Sequence, residues 1–147
     1  SANKVKDFEQ FLQNYDTGTL DGSVFKNTDI AYSPNVIGSS TISYHPIKNA
    51  EIAFISKYVS RQYLDNTSTK SRSLDPYMVN DLRLNYNFNL KGVKNVGLGL
   101  LVGNVFSKKY QSDGATYPDI EGGQVVNYNY FFPQAPANFL LSLDVKF

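Results

Sequence analysis

Apolar and polar side chains alternate along several long segments of this chain, and the pattern is clearest over residues 139–147. The residues of one set are Phe139, Leu141, Leu143, Val145 and Phe147, and those of the other are Leu140, Ser142, Asp144 and Lys146. Successive side chains of a β-strand point to opposite faces, so this alternation predicts a strand with one apolar and one largely polar face. In a soluble sheet these faces meet the core and the solvent. In an outer-membrane barrel they meet lipid and a wet lumen.

The same period predicts an all-β fold, a long antiparallel meander of about five or six strands. The predicted strands cover residues 35–45, 50–64, 77–89, 96–110 and 137–147, and residues 28–34 extend the first of them. Towards the N-terminus, Lys4 to Tyr15 fits either a short helix or a strand. Residues 17–23 are rich in turn formers and are predicted to be a loop.

The predicted connections alternate between short and long. Residues 46–49 and 91–95 form short turns, whereas residues 65–76 and 111–136 form long polar loops. All short turns therefore lie at one end of the sheet, as in outer-membrane barrels, which have short periplasmic turns and long extracellular loops. The predicted strands are also longer than the five or six residues typical of soluble proteins, and they suit a tilted membrane crossing.

Composition excludes several classes of protein. The chain has no cysteine, so it has neither disulfides nor thiolate metal sites. A net charge of +1 gives no indication of nucleic-acid binding. No apolar run approaches the roughly 18 residues of a membrane helix. The chain begins at Ser1 without an apolar signal segment, which predicts either a removed signal or a piece of a longer protein.

Several motifs resemble the TonB-dependent outer-membrane receptors. N-V-F-S-K-K-Y (104–110) is similar to the N-x-F-x-K-x-Y segment of their late barrel strands, and F-F-P-Q-A-P-A-N-F (131–139) resembles the approach to their last strand. The segment F-L-L-S-L-D-V-K-F (139–147) resembles that last strand. The segments 33–40, 56–67 and 79–86 resemble the Bacteroidetes branch of the family. Ala137 is a departure, because many siderophore-receptor relatives carry Arg there, and it leaves the substrate class open.

The resemblance implies the C-terminal part of a receptor barrel of about 22 strands in the bacterial outer membrane. Residues 1–34 would be an extracellular loop region with a short helix or strand, and residues 35–147 the C-terminal barrel strands. The plug domain and the earlier strands are absent. The implied partners are outer-membrane lipid, the rest of the receptor, the TonB energy complex through the absent plug, and a small-molecule nutrient. The barrel-assembly machinery would read the C-terminal strand, with Phe147 as the assembly signal.

The implied function is active import of a scarce nutrient, with iron–siderophore or haem as the first expectation and a glycan or cobalamin as the alternative. A rival from another class is a soluble β-barrel or sandwich that binds a small ligand, as lipocalins do. A small autonomous outer-membrane barrel with a structural or adhesive role is the third possibility. The receptor hypothesis predicts an outward-facing apolar band formed by Leu82, Leu84, Phe88, Leu98, Leu100, Leu141 and Leu143.

Candidate site residues fall into two groups. One group lies on polar strand faces and would face the lumen and hold the plug or guide a substrate, unless it simply makes the lumen polar: Glu51, Lys57, Arg61, Asp81 and Arg83. The other lies in the 111–136 loop and would contact the substrate, unless its aromatics belong to an interfacial girdle: Tyr117, Asp119, Glu121, Tyr128 and Tyr130.

No catalytic constellation, metal site or cofactor motif is evident, and an enzymatic role is not expected. His45 is the only histidine and is predicted to lie at the surface beside a short turn. The glycines of residues 97–103 predict close packing in the lumen. Lys70 and Arg72 in the 65–76 loop are predicted to be solvated, with attraction of anionic groups as the alternative.

Overall fold

The computed structural model describes residues 3–147, and every regular element in this range is a β-strand. The prediction of an all-β chain built on antiparallel pairing is therefore confirmed. In chain order the strands are β1 (Lys4–Val5), β2 (Phe8–Gln13), β3 (Leu20–Phe25), β4 (Thr28–Asp29), β5 (Ile37–Tyr44), β6 (Ala50–Val59), β7 (Gln62–Tyr63), β8 (Ser73–Leu74), β9 (Tyr77–Leu90), β10 (Val93–Gly103), β11 (Gln111–Glu121), β12 (Gln124–Pro133) and β13 (Asn138–Lys146).

The chain divides into two compact units, each assembled from separate segments. The hairpin unit contains the residues up to Ile37 together with Val59–Tyr77 and Tyr110–Gln134. The sheet unit contains Gly38–Tyr58, Met78–Lys109 and Ala135–Phe147. In chain order, Val59–Tyr77 of the hairpin unit therefore lies between β6 and β9, and Tyr110–Gln134 lies between β10 and β13. The predicted boundary between a loop region (1–34) and barrel strands (35–147) depends on a complete barrel, and it stays a prediction. The first 34 residues contribute β1 to β4.

The sheet unit is built on one open five-stranded sheet with the order β13–β10–β9–β6–β5. Strands β9, β10 and β13 pair antiparallel, and the turns between β5 and β6 and between β9 and β10 are short. All five predicted long strands are therefore present. Four of them are shorter than predicted. The differences are small for β5 and β13 and larger for β6, which ends at Val59, and for β10, which ends at Gly103.

The early end of β10 has a local cause at Asn104, which adopts a positive φ of 49°. The Asn104 N–H donates to Asp81 Oδ1 at 2.7 Å, and its amide group donates to the Lys108 and Ala135 carbonyls. The Lys108 N–H in turn donates to Asn104 Oδ1. The N-V-F-S-K-K-Y segment is consequently a turn organised by a buried asparagine, and the prediction of a strand through residue 110 was wrong.

The two faces of this sheet differ sharply in polarity. The register pairs Leu98 with Tyr86 and Leu143, and Leu100 with Leu84 and Leu141, so these side chains share one face. The seven residues predicted to form an apolar band all lie on this face, and none of them is buried. Leu141 and Leu143 are 67% and 65% exposed. The face therefore presents apolar side chains to the surroundings, and the side chains do not converge on a dry core.

The hairpin unit consists of short antiparallel pairs. Strands β2 and β3 form one hairpin, and β11 and β12 form a longer one. The remaining pairs are β1 with β4 and β7 with β8. The Tyr15 N–H donates to the Ile120 carbonyl at 2.9 Å and joins the two hairpins. Leu12, Val59, Leu64, Leu74 and Tyr77 are the buried apolar side chains of this unit.

For Lys4 to Tyr15 the strand alternative is confirmed, whereas the predicted loops at 17–23 and 111–136 were wrong. The predicted extension of the first long strand through residues 28–34 was also wrong, because β4 ends at Asp29 and pairs with β1. The Lys4 to Tyr15 segment is extended and not helical, because β2 pairs with β3 along its length, as the strand alternative required. The predicted loop at 17–23 includes the first half of β3. The predicted 111–136 loop is the β11–β12 hairpin, closed by Gly122 and Gly123 with φ of 60° and 71°. Positive φ at both central residues produces a two-residue turn whose twist matches that of a hairpin.

Within residues 3–147, no helix is long and apolar enough to span a membrane.

Candidate functional site

The five predicted substrate-contacting residues lie together on one face of the β11–β12 hairpin. The register pairs Tyr117 with Tyr128 and Ala115 with Tyr130, and it places Asp119 and Glu121 opposite Val126 and Gln124. Side chains of directly opposed residues share a face, and residues two apart on one strand share it as well. We call this surface the tyrosine face, defined by Tyr117, Asp119, Glu121, Tyr128 and Tyr130.

The opposite face of the hairpin attaches it to the rest of its unit. Asn127 accepts a hydrogen bond from Arg72 Nε at 2.6 Å, and Asn129 donates to the Ser71 carbonyl at 2.8 Å. Near the open end, Tyr32 donates its hydroxyl to the Gly114 carbonyl at 3.0 Å. Because one face of the hairpin makes these bonds, the tyrosine face is left open to solvent on a fixed backbone.

The tip of the hairpin is held by the carboxylate of Asp16. Gly122 and Gly123 donate their backbone N–H groups to Asp16 at 3.0 and 2.7 Å. These two hydrogen bonds, first that of Gly123 and then that of Gly122, lower the pKa of Asp16 below its ordinary value. The charged carboxylate is the better acceptor, so it stabilises the turn at neutral pH.

Two tyrosines of the face form an edge-to-face pair. The ring centroids of Tyr117 and Tyr130 are 6.0 Å apart, and the ring planes cross at 69°. The two side chains are 62% and 57% exposed, so much of each ring surface is accessible. Ala115 lies directly opposite Tyr130 and is too small to cover its ring. Two roughly perpendicular aromatic walls suit contact with a ring or with a cation.

The third tyrosine is bonded to a carboxylate. Tyr128 donates its hydroxyl to Glu121 Oε1 at 2.6 Å. This hydrogen bond is the main reason that the pKa of Tyr128 is raised, with the charges of Glu121 and Asp119 adding to it. Tyr15, from the turn after β2, is 65% exposed, and its backbone lies beside the end of β11 that carries Asp119 and Glu121, because its N–H donates to the Ile120 carbonyl.

The residues predicted to face the lumen are placed in two different surroundings. On the polar side of the sheet unit, Glu51 lies 3.6 Å from Arg83 and accepts hydrogen bonds from Asn85 and Ser43. Lys57 follows Glu51 on β6 with the same strand parity, and Asp81 accepts the Asn104 N–H. Arg61 lies beyond the end of β6, where it contacts Ser73 and Asp75 beside the β7–β8 pair.

The polar side of the sheet carries an open trough of ≈ 420 Å³. Its floor is formed by Gly97 and Gly99, which lie between side chains of β9 and β13. A Cβ at Gly99 would collide with the Ser142 hydroxyl, and one at Gly97 would approach Asn87 Oδ1 to 3.1 Å. These glycines are closely approached by side chains of neighbouring strands, whereas the predicted close packing in a lumen stays a prediction. His45 lies at the edge of the trough and is exposed.

Sequence reasoning missed the role of Arg72, which was predicted to be solvated or to attract anions. Both predictions were wrong, because Arg72 is only 4% exposed. Its guanidinium contacts Asp65 at 2.8 Å, Gln10 at 3.0 Å and Asn127 at 2.6 Å. Burial raises the pKa of Asp65, but hydrogen bonds from Thr67 and the ion pair with Arg72 outweigh it and keep that pKa below its ordinary value.

The described part of the chain offers no obvious metal centre. Within residues 3–147, no three His, Cys, Asp or Glu side chains are grouped closely enough to hold a metal ion. Asp119 and Glu121 are thus carboxylates beside aromatic rings. What the tyrosine face offers chemically is stacking, cation contact and hydrogen bonding.

No protein-family model matches the sequence, and no curated protein matches it either. The resemblance to TonB-dependent receptors therefore rests on the quoted motifs alone and stays a prediction.

Proposed function

We propose that this chain is the C-terminal part of a TonB-dependent receptor in the bacterial outer membrane, where the protein imports a scarce nutrient. The observation that carries this proposal is the open sheet of long strands with an exposed apolar face. Strands β6, β9, β10 and β13 have 10, 14, 11 and 9 residues, which suits the crossing of a hydrocarbon core by tilted strands.

The exposed apolar surface supports lipid as the partner of this face. Apolar patches larger than a few hundred Å² are rare on soluble monomers. A soluble ligand-binding barrel would turn its large apolar side chains inward, whereas Leu98, Leu141 and Leu143 are exposed. The opposite face bears Glu51, Arg83, Asn85 and a polar trough, as a wet lumen would.

The open edges of the sheet support a larger barrel. Strand β13 pairs only with β10, and β5 pairs only with β6. Long unpaired edges favour association with further strands, and in a membrane every backbone group needs a partner. The rest of the receptor, including its plug, would supply those strands and the contact with the TonB complex.

The hairpin unit is proposed as part of the extracellular recognition surface. Its later segments connect strands at the ends opposite the two short turns, which is where extracellular loops of outer-membrane barrels lie. Iron–siderophore or haem is the first proposed nutrient, with a glycan or cobalamin as the alternative. The chemistry is recognition and gated passage, without an enzymatic step.

The membrane assignment is testable with nitroxide labels, because this chain contains no cysteine of its own. Cysteines introduced singly at Leu141, Ser142 and Leu143 in the complete gene product would be labelled and reconstituted in vesicles. We expect labels at 141 and 143 to be accessible to oxygen, which partitions into lipid, and the label at 142 to be accessible to a water-soluble nickel chelate. Equal accessibility at all three positions would contradict the proposal.

Transport is tested separately by removing the hairpin that carries the tyrosine face. Cells in which residues 111–133 are replaced by a short Gly–Ser linker should keep the protein in the outer membrane and lose growth on one scarce nutrient. Growth would be compared on limiting iron chelates, haem, cobalamin and glycans, with the unmodified gene as reference. Unchanged growth in every medium, together with complete gene deletion having no effect, would refute an import role.

A further inference from the structure

The tyrosine face has negative charge and no positive charge of its own. Residues 111–134 contain Asp113, Asp119 and Glu121 but no Lys, Arg or His. Among residues 3–147 the ion pairs lie elsewhere, at Asp29, Asp75, Asp65 and Glu51. The carboxylates beside the tyrosines are therefore left without a cationic partner from the hairpin.

The aromatic geometry of the face suits a cation. Cations bind over the faces of aromatic rings within about 6 Å of the centroid, and two rings set at a wide angle can contact one cation together. Tyr117 and Tyr130 provide such walls, with ring planes at 69° and most of their surface exposed. Asp119 follows Tyr117 on the same strand face, so a bound cation would lie near a carboxylate as well.

We propose that the tyrosine face binds an organic cation, an ammonium or guanidinium group held in the open angle beside the edge-to-face pair of Tyr117 and Tyr130 and attracted by Asp119 and Glu121. This inference narrows the ligand chemistry of the surface proposed above as the recognition face: it favours a nutrient that carries a cationic group over haem, whose propionate groups are anionic. It rests on that part of the proposed function and is independent of membrane location. The cation can belong to a small molecule or to a Lys or Arg side chain of a peptide.

Charge decides against the other ligand chemistries that stack on tyrosine. An anionic ring compound would approach three carboxylates with no basic side chain on the hairpin to offset the repulsion. A neutral sugar ring would gain stacking and could donate hydrogen bonds to the carboxylates, but it would gain no attraction between opposite charges. Only a cationic ligand combines contact with the ring faces with that attraction.

The test uses the complete protein in detergent, with binding followed by ligand-detected proton NMR. The probes are tetramethylammonium and a tri-arginine peptide, with benzoate as the anion and glucose as the neutral ring compound. We expect both cations to bind and benzoate and glucose not to bind. The affinity should fall as salt rises from about 0.02 M to about 0.5 M, because screening shortens the reach of the carboxylates.

Two pairs of variants locate the binding on this face. Tyr117→Phe keeps an aromatic ring and should bind the cation with little change, whereas Tyr117→Leu should bind about threefold more weakly or worse. Asp119→Asn combined with Glu121→Gln should weaken binding about fivefold. Glu9→Gln is the matched control, because Glu9 is an exposed carboxylate of the same unit outside the face.

Each possible result of this test either supports the proposal or overturns it. Tighter binding of tetramethylammonium identifies a small ammonium ligand, and tighter binding of tri-arginine identifies a basic peptide. Either result supports the proposal if the variants behave as stated. Equal binding of glucose or benzoate, absence of cation binding, or an affinity unchanged by the double variant would overturn it. Such a failure would leave the nitroxide test of the membrane sheet unaffected, so the two proposals fail independently.

Discussion

The guanidinium of Arg72 joins three separate segments of the hairpin unit. Its partners Gln10, Asp65 and Asn127 come from β2, from the connection after β7 and from β12. A charge buried with full hydrogen bonding is tolerated, but its partner becomes costly when left alone. Arg72 therefore fixes the position of the β11–β12 hairpin through the face opposite the tyrosines.

We expect Arg72→Ala to lower the free energy of unfolding of the hairpin unit by about 2–3 kcal/mol, because the half-buried Asp65 loses its cationic partner and keeps hydrogen bonds from Thr67 only in part compensation. Arg61→Ala is the matched control. Arg61 pairs with Asp75, whose side chain is 82% exposed, and such pairs contribute about 0–1 kcal/mol. Hydrogen exchange at the amides of β2 and β11 would measure both changes. Equal losses in the two variants would contradict the role assigned to burial.

The burial of Arg72 could not be predicted from the local sequence. It lies in a polar stretch between Lys70 and Asp75, which is typical of a solvated loop. Its Asn127 partner is 55 residues away, and this contact depends on how β12 lies in the folded unit. The position of Tyr15 beside the hairpin could not be predicted either, because it depends on the long-range hydrogen bond from its N–H to the Ile120 carbonyl.

The β11–β12 hairpin has a recognisable turn in the sequence, but the composition of its strands is typical of a loop. Gly122 and Gly123 form a two-residue Gly–Gly turn followed by a segment rich in valine and tyrosine, which is a hairpin signal. The many Gly, Asp, Asn and Pro residues of 111–136 obscured it and favoured a loop. The five long strands were predictable because strict alternation extends over many residues, whereas the ends of β6 and β10 depend on local turns.

The turn of this hairpin requires positive φ at two successive residues, which gives a direct test. We expect Gly122→Val to destabilise the hairpin unit by about 1–2 kcal/mol, because a β-branched side chain is strained in the left-handed region. Gly122→Asn should cost far less, since Asn adopts that conformation more readily. Both variants keep the N–H that Asp16 accepts. Thermal unfolding followed by tyrosine fluorescence would compare them, and equal losses would argue against the turn geometry.

At the scale of the whole molecule, two different surfaces define what the chain can do. The sheet unit exposes apolar side chains on one face and carries a polar trough on the other. The hairpin unit exposes tyrosines and carboxylates on a hairpin fixed from behind. The first surface was predictable from period-two alternation. The second required the register of β11 with β12, which brings residues from both strands onto one face.

Phe147 is predicted to be a signal for assembly of the proposed barrel. Phe147 is 84% exposed and lies after the end of β13, so packing within this chain does not explain an aromatic side chain there. If it is the signal read by the assembly machinery, Phe147→Ser should reduce the amount of protein inserted in the outer membrane by about tenfold. The melting temperature of the inserted protein should be unchanged.

Phe139→Ser is the matched control for this prediction. Phe139 lies on the same strand face as Phe147 and is 73% exposed, but it is at the opposite end of β13. We expect it to alter membrane insertion far less, because a terminal signal depends on position as well as residue type. Quantitative blotting of outer-membrane fractions would measure the amount of each variant that is inserted. The shift in electrophoretic mobility on heating would show whether the inserted barrel is folded. If both substitutions reduce the inserted amount equally, apolar area in general contributes to insertion and Phe147 is not a specific signal. If the Phe147 variant is inserted normally, Phe147 has no role in assembly.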